Sequence, residues 1–203
     1  MRRNNWLLAG LLFLLMFSCS DKKANLIENN REAVILVQPF KDMNSETTKF
    51  VTDQIKKIYP HVKVLEPIEL PKEAYYKERN RYRADSIIKS LSQNTEKGFV
   101  KIGLTTNDIS STKGSVIDFG VMGLGYQPGK SCVASNFRLN KDNKNEQFFK
   151  VAIHEIGHTQ GLKHCPEKSC FMRDAEGKNP TDEETDFCNK CRDFLKTKNW
   201  KFN

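Results

Sequence analysis

The chain has 203 residues, enough for one compact domain with an N-terminal extension. Charged residues make up 29% of it and hydrophobic residues 38%, which is the ordinary balance of a soluble globular protein. The formal net charge is +8, but the lysines are scattered and form no dense basic stripe with interleaved aromatic residues. A nucleic-acid partner is therefore not expected.

The first nineteen residues have the pattern of an export segment. Arg2 and Arg3 precede an apolar run, Trp6–Phe17, which at 12 residues is shorter than the ~20 that a membrane-spanning helix needs. Cys19 follows, as the lipidated cysteine does in bacterial lipoproteins. We expect a signal segment over residues 1–19, lipid attachment at Cys19, and an exported protein anchored on the periplasmic or cell-surface side. An uncleaved short anchor is the alternative. Without the two arginines the net charge is about +6.

Residues 20–31 are polar and are predicted to be a linker, with the folded domain over residues 32–203. Apolar residues at helical or strand spacing then predict an alternating series of elements. The predicted elements are a strand at Ala33–Val37, a helix capped by Ser45 and ended by Pro60, a strand at Val62–Leu65, a long helix at Lys72–Ser92 and a strand at Phe99–Leu104. This order predicts an α/β fold with a mixed, largely parallel sheet.

A glycine-rich stretch, Gly114–Gly129, follows, and two further strands are predicted at Val116–Val121 and Cys132–Leu139. The glycine spacing matches neither phosphate-binding nor dinucleotide-binding patterns, so it indicates tight strand connections.

A helix is predicted next, from Asn143 to Gln160, with a buried stripe of Phe149, Ala152 and Ile156. Asn143 and Glu146 have the spacing of a capping box, and Gly161 supplies a helix stop.

This helix contains the sequence HEIGHTQGLKH, from His154 to His164. His154 and His158 are four residues apart, so both imidazoles face the same side of the helix and can reach one zinc ion. Gly161 permits a sharp turn that can bring His164 back as a third ligand. Three protein ligands leave one position for water, as in catalytic zinc sites. Glu155, on the adjacent flank, is the predicted general base.

Four cysteines form a second cluster, with Cys165 and Cys170 separated by 17 residues from Cys188 and Cys191. This two-knuckle spacing predicts a structural zinc held by four thiolates, which gives two zinc ions per chain in total. Two disulfides are the alternative in an exported protein. Cys132 is left over and is predicted to be a small buried residue.

The extended pattern HExxHxxGxxHC, followed by Cys170, Met172 and the pair Cys188 and Cys191, resembles the archaemetzincin family of zinc metallopeptidases. The resemblance extends more weakly to an upstream helical signature at Tyr75, Arg79, Tyr82 and Ala84. It implies a compact metzincin-like domain with the HExxH helix across a mixed sheet, and a methionine turn at Met172 beneath the zinc histidines. By analogy, a strand near Cys132–Leu139 is expected to line the cleft as an edge strand that pairs with extended peptide.

These features predict a monomeric zinc-dependent peptidase that acts on peptide or protein substrates. A non-catalytic zinc-binding or structural module with the same fold is the main alternative, although zinc binding alone does not require Glu155. Nucleic-acid binding through the cysteine cluster is a third hypothesis, and it conflicts with export.

Overall fold

A computed structural model describes residues 33–203 of the chain. Nine strands and four α-helices lie within this range, joined by short 3-10 turns. In chain order they are β1 (Val34–Pro39), α1 (Ser45–Ile58), β2 (Val62–Val64), β3 (Tyr75–Tyr76), β4 (Arg81–Arg83), α2 (Ala84–Gln93), β5 (Phe99–Thr105), β6 (Ile109–Lys113), β7 (Val116–Val121), β8 (Gly123–Gly125), β9 (Ser131–Ser135), α3 (Lys144–Thr159) and α4 (Asn189–Lys196).

The main sheet has five strands in the order β2-β1-β5-β9-β8. Strands β2, β1, β5 and β9 run parallel, and β8 pairs antiparallel with β9 at one edge. The predicted α/β class with a mixed, largely parallel sheet is confirmed. A smaller four-stranded sheet, β3-β4-β6-β7, lies beside it.

Helices cover both faces of the main sheet, and β9 shows how the strands separate the two layers. Cys132 and Ala134 belong to the larger apolar core with residues of α1 and α3, whereas Val133 belongs to the smaller core with residues of α2. Alternate residues of a strand point to opposite faces, so a continuous apolar strand can serve both cores. Cys132 is fully buried, as the sequence predicted.

The predicted long helix over Lys72–Ser92 is wrong. Its first half contains the short antiparallel pair β3–β4, in which Tyr75 lies opposite Tyr82, and only Ala84–Gln93 is helical. Asn80 reverses the chain between the two strands in a left-handed conformation, with φ of 48°. Strand β4 also pairs with β6, a tertiary contact that local helix propensity cannot register.

The helix starts also differ from the predictions. Asn44, rather than Ser45, caps α1, and its side-chain oxygen accepts a 2.7 Å hydrogen bond from the backbone N–H of Thr47. The predicted capping box of α3 does not form, because the side chain of Asn143 makes no capping hydrogen bond. Gln147 instead accepts a hydrogen bond from the backbone N–H of Asn140.

The predicted signal segment, the lipid attachment at Cys19 and the linker over residues 20–31 lie outside the described residues. Within residues 33–203, none of the helices has the length and hydrophobicity that crossing a bilayer requires.

Candidate active site and metal centres

Three histidines converge at the C-terminal end of α3. His154 and His158 lie one turn apart on the helix, and Gly161, with φ of 99°, turns the chain sharply after it. His164 returns from this turn, so that its Nε2 lies 3.3 Å from the Nε2 of His158. One ring nitrogen from each of the three residues falls within 4.8 Å of the others.

The other ring nitrogen of each histidine has an acceptor. Nδ1 of His154 lies 2.6 Å from the carbonyl oxygen of Phe171, and Nδ1 of His158 lies 2.8 Å from that of Leu162. Nδ1 of His164 lies 3.1 Å from the carboxylate of Asp174. A carbonyl oxygen only accepts hydrogen bonds, so it fixes the proton on Nδ1. The lone pair of Nε2 is then available to a metal ion.

This arrangement fits a zinc ion. Nitrogens at about 2.0–2.1 Å from a tetrahedral zinc are about 3.3 Å apart, which is the separation between His158 and His164. Burial lowers the pKa of His154 to about 3 and also lowers the pKa of His158. Both rings are therefore neutral near pH 7, which is the protonation state that metal binding requires.

Glu155 lies beside the histidines under strand β8. A Cβ on Gly123 would lie 2.6 Å from the Glu155 side chain, and a Cβ on Gly125 would lie 2.6 Å from its backbone oxygen. Only glycine at these two positions lets the strand pass so close to the helix. Glu155 is 7% exposed, and burial raises its pKa to about 8 when no metal ion is bound. The positive charge of a zinc ion on the histidines would favour the carboxylate form.

Met172 lies beneath the same helical turn. It is fully buried, and a Cβ on Gly157 would overlap its sulfur atom. The neighbouring Phe171 carbonyl is the one that contacts His154, so the segment around Met172 both supports and orients the first histidine.

The four predicted cysteine ligands also come together, joining the segment after His164 to the start of α4. The Sγ atoms of Cys165 and Cys188 are 3.7 Å apart, as are those of Cys170 and Cys191. A disulfide requires about 2.05 Å, whereas sulfurs at 2.3 Å from a tetrahedral zinc are separated by about 3.8 Å. The four free thiols therefore have the spacing of metal ligands.

A cavity of about 680 Å³ opens above the histidines. Strand β8, α3, the β6–β7 pair and the segment from Arg173 to Glu184 line it. The prediction that a strand over Cys132–Leu139 borders the cleft as an edge strand is wrong in two respects. It ends at Ser135, and it lies between β5 and β8 rather than at the edge. The edge strand is β8, and the closely spaced Gly123 and Gly125 were the signal that could have indicated it.

The upstream residues of the resemblance lie away from this cavity. Tyr75 and Tyr82 pack against each other, with ring centroids 5.2 Å apart, and line a separate cavity of about 550 Å³. Sequence reasoning also missed Lys150 and Glu184, two buried charged residues of the histidine cavity.

Comparison with known proteins agrees with this geometry. The sequence profile of peptidase family M54 matches residues 24–197. The archaemetzincin of Archaeoglobus fulgidus is 33% identical over 162 residues, covering 77% of this chain and 95% of that protein. The archaemetzincin of Methanocaldococcus jannaschii is 31% identical over 167 residues, covering 77% of this chain and 89% of that protein.

Solved structures show the same fold. The crystal structure of the Archaeoglobus fulgidus archaemetzincin, complexed with malonate, superposes with a TM-score of 0.68 at 31% identity and covers 79% of this chain and 98% of that one. The crystal structure of the Methanopyrus kandleri archaemetzincin superposes with a TM-score of 0.69 at 26% identity and covers 82% of this chain and 95% of that one.

The fold, the histidine cluster and these similarities together define a zinc metallopeptidase. The chain belongs to peptidase family M54, the archaemetzincin family.

Proposed function

We propose that the chain hydrolyses peptide bonds, with His154, His158 and His164 as the ligands of a catalytic zinc and Glu155 as the general base. A bound zinc would supply Lewis-acid activation of a water molecule and of the scissile carbonyl. Glu155 takes the proton of the attacking water and delivers it to the leaving amine. The observation that carries this proposal is the burial of the Glu155 carboxylate in the cavity on which the three imidazoles converge.

The edge strand β8 supports a peptide as the substrate. It lies at the end of the five-stranded sheet and borders the cavity directly beside Glu155 and His158. An extended peptide can add to such an edge as a further strand, through backbone hydrogen bonds that do not depend on its sequence. We propose that β8 holds the substrate backbone, in place of the strand expected from the sequence.

The test is Glu155→Gln in the zinc-loaded protein, with a peptide library as substrate and mass spectrometry as the readout. Turnover falls below detection while the zinc content stays unchanged, since glutamine keeps the shape of glutamate and cannot accept the proton. Glu146→Gln, about 13 Å earlier on the same helix, is the matched control and retains activity. A Glu155→Gln protein with full activity would remove Glu155 from the mechanism. A wild type that cleaves no peptide supports the non-catalytic module.

We further propose that Cys165, Cys170, Cys188 and Cys191 hold a second, structural zinc. The equal 3.7 Å separations and the burial of three of the four residues support this assignment. A closed site of four thiolates leaves no position for water and fixes structure without catalysis.

The export of the protein remains a proposal from the sequence of residues 1–19. Its test is metabolic labelling with a palmitate analogue in a bacterial host, compared with a Cys19→Ala variant. Label on the wild type alone supports lipidation, and label on neither protein contradicts it.

A further inference from the structure

The histidine cavity continues along α3 toward the N-terminus of the helix. Lys150 and His154 are four residues apart and line the same cavity, so their Cα atoms are separated by about 6 Å along the helix axis. Thr181 and Glu184, on the segment that leads to α4, line the same cavity, and the Thr181 carbonyl oxygen accepts a hydrogen bond from Lys150. Lys150, Thr181 and Glu184 are all buried.

Glu184 is an unusual member of this group. It is 3% exposed, yet no residue in the described part of the chain donates a hydrogen bond to its carboxylate or forms an ion pair with it. Its oxygens are not among the fully buried, unpartnered polar atoms of residues 33–203, so they still reach the cavity. A carboxylate with so little hydration and no protein donor is costly. Burial raises the pKa of Glu184 to about 7, although nearby Lys150 and Arg173 act in the opposite direction.

The neighbouring cations are already engaged elsewhere. The ammonium group of Lys150 donates a 2.9 Å hydrogen bond to the carbonyl oxygen of Thr181. The guanidinium of Arg173 pairs with Glu183 at 2.7 Å. The oxygens of Glu184 therefore keep their acceptor capacity for a group that enters the cavity.

We propose that Glu184 is a specificity-determining residue and forms the acidic floor of a subsite for a lysine or arginine side chain of the substrate, which rests on the proposed peptidase function. The four-carbon stem of lysine is long enough to reach about one helical turn from the histidines. Its ammonium group would donate to Glu184 and neutralise the buried charge. An apolar side chain would cover the carboxylate without pairing it, and an acidic one would be repelled.

The positive charge of Lys150 repels an incoming cation, so removing this charge should increase the preference for basic side chains. Its charge lies near Glu184 without forming an ion pair with it, so removing Lys150 strengthens the negative potential in the subsite. Replacing Glu184 and replacing Lys150 should therefore change the preference in opposite directions. Two residues that only support the fold would not behave in this way.

The test uses zinc-loaded protein and peptides that differ at a single position beside the cleaved bond, occupied by Lys, Arg, Gln, Leu or Glu. We expect kcat/KM for Lys and Arg to exceed that for Leu and Glu by about tenfold or more. Glu184→Gln lowers kcat/KM for the basic peptides about tenfold and leaves the Leu peptide unchanged, whereas Lys150→Met raises it for the basic peptides. Glu46→Gln, which changes an exposed acid on α1 outside the cavity, is the control and changes neither.

Three results would overturn the inference. A uniform loss across all peptides in Glu184→Gln makes the residue structural. Equal preference for Gln and Lys makes the subsite one for neutral donors. A preference for Leu or Glu removes the acidic floor.

Binding of the same peptides to the zinc-loaded Glu155→Gln protein, followed by fluorescence anisotropy, separates this inference from the proposed function. Tighter binding of the basic peptides without turnover supports the subsite by itself. Cleavage or binding that does not depend on the charge of the peptide contradicts only the inference. A protein that neither binds nor cleaves any of them contradicts both proposals.

Discussion

The sulfur atom of Met172 occupies the space that a Cβ on Gly157 would need. Residue 157 lies between the two histidines of α3, one position before His158, so this contact brings the buried Met172 directly against the turn that carries the proposed metal ligands. Glycine in the middle of a helix normally costs about 0.5–1 kcal/mol relative to alanine. The close approach of Met172 explains why the helix carries glycine at this position.

Gly157→Ala should accordingly destabilise the protein, against the usual trend for helices. Overpacking of a filled core costs about 1–3 kcal/mol, which exceeds the gain in helix propensity. The free energy of unfolding, measured with urea, should decrease, and zinc should bind more weakly because the helical turn moves. Combining Gly157→Ala with Met172→Ala removes the overlap and should relieve the loss caused by the added methyl group. A Gly157→Ala protein more stable than the wild type would show that Met172 moves aside freely.

Asp174→Ala should weaken zinc binding at the histidine site. Asp174 is the only side chain among the three Nδ1 acceptors, since His154 and His158 use backbone carbonyls that a substitution cannot remove. Loss of such an orienting partner costs roughly 10–100-fold in metal affinity, and the exposure of this pair favours the lower end. Competition with a chelator measures the affinity. Asp193→Ala, which removes an exposed acid on α4, is the control, and equal affinities in both variants would exclude an orienting role.

The sequence predicted the parts of the fold that local patterns determine. The parallel strands β1, β2 and β5 and the helices α1 and α3 follow from their apolar periodicity, and the spacing of His154, His158 and His164 anticipated their convergence. The strand β4 did not follow, because it also pairs with β6, and this pairing of Tyr82 with Ile109 joins residues distant in sequence. Glu184 could not be found either, since nothing in its local sequence indicates that it lies buried in the cavity of α3.

If the four cysteines hold a second zinc ion, as proposed, Cys191→Ser should remove that ion. Three thiolates and a hydroxyl form a weaker tetrahedral site, and the segment that joins Cys165 to α4 loses its crosslink. Zinc stoichiometry by atomic emission should fall from two to one, and the midpoint of thermal unfolding should decrease. Cys132→Ala, at a buried cysteine outside the cluster, should keep both ions. A stoichiometry of one in the wild type, with the four cluster cysteines unreactive toward a thiol reagent in the denatured protein, would support the disulfide alternative.

The stability of the protein should depend on pH through Glu184. Its pKa is raised by burial from an ordinary value of 4.5 to about 7, so between these limits the folded protein holds a proton that the unfolded chain releases. The free energy of unfolding therefore decreases as the pH rises through this window, and the loss is complete above about pH 7. Since the carboxylate faces an open cavity, we expect the free energy of unfolding to decrease by on the order of 2 kcal/mol, rather than by the full value of about 3 kcal/mol that the pKa shift implies.

Lys150, Arg173 and Glu183 are the charged neighbours of this carboxylate, and they are the same in wild type and in Glu184→Gln. Urea unfolding of both proteins at pH 5 and pH 8 therefore isolates the contribution of Glu184, because the two proteins differ in no other titratable group. The wild type should lose stability relative to Glu184→Gln between these pH values, while Glu46→Gln, at an exposed site on α1, should follow the wild type. Parallel profiles for the wild type and Glu184→Gln would mean that the carboxylate is already paired or hydrated, and the acidic floor would lose its physical basis.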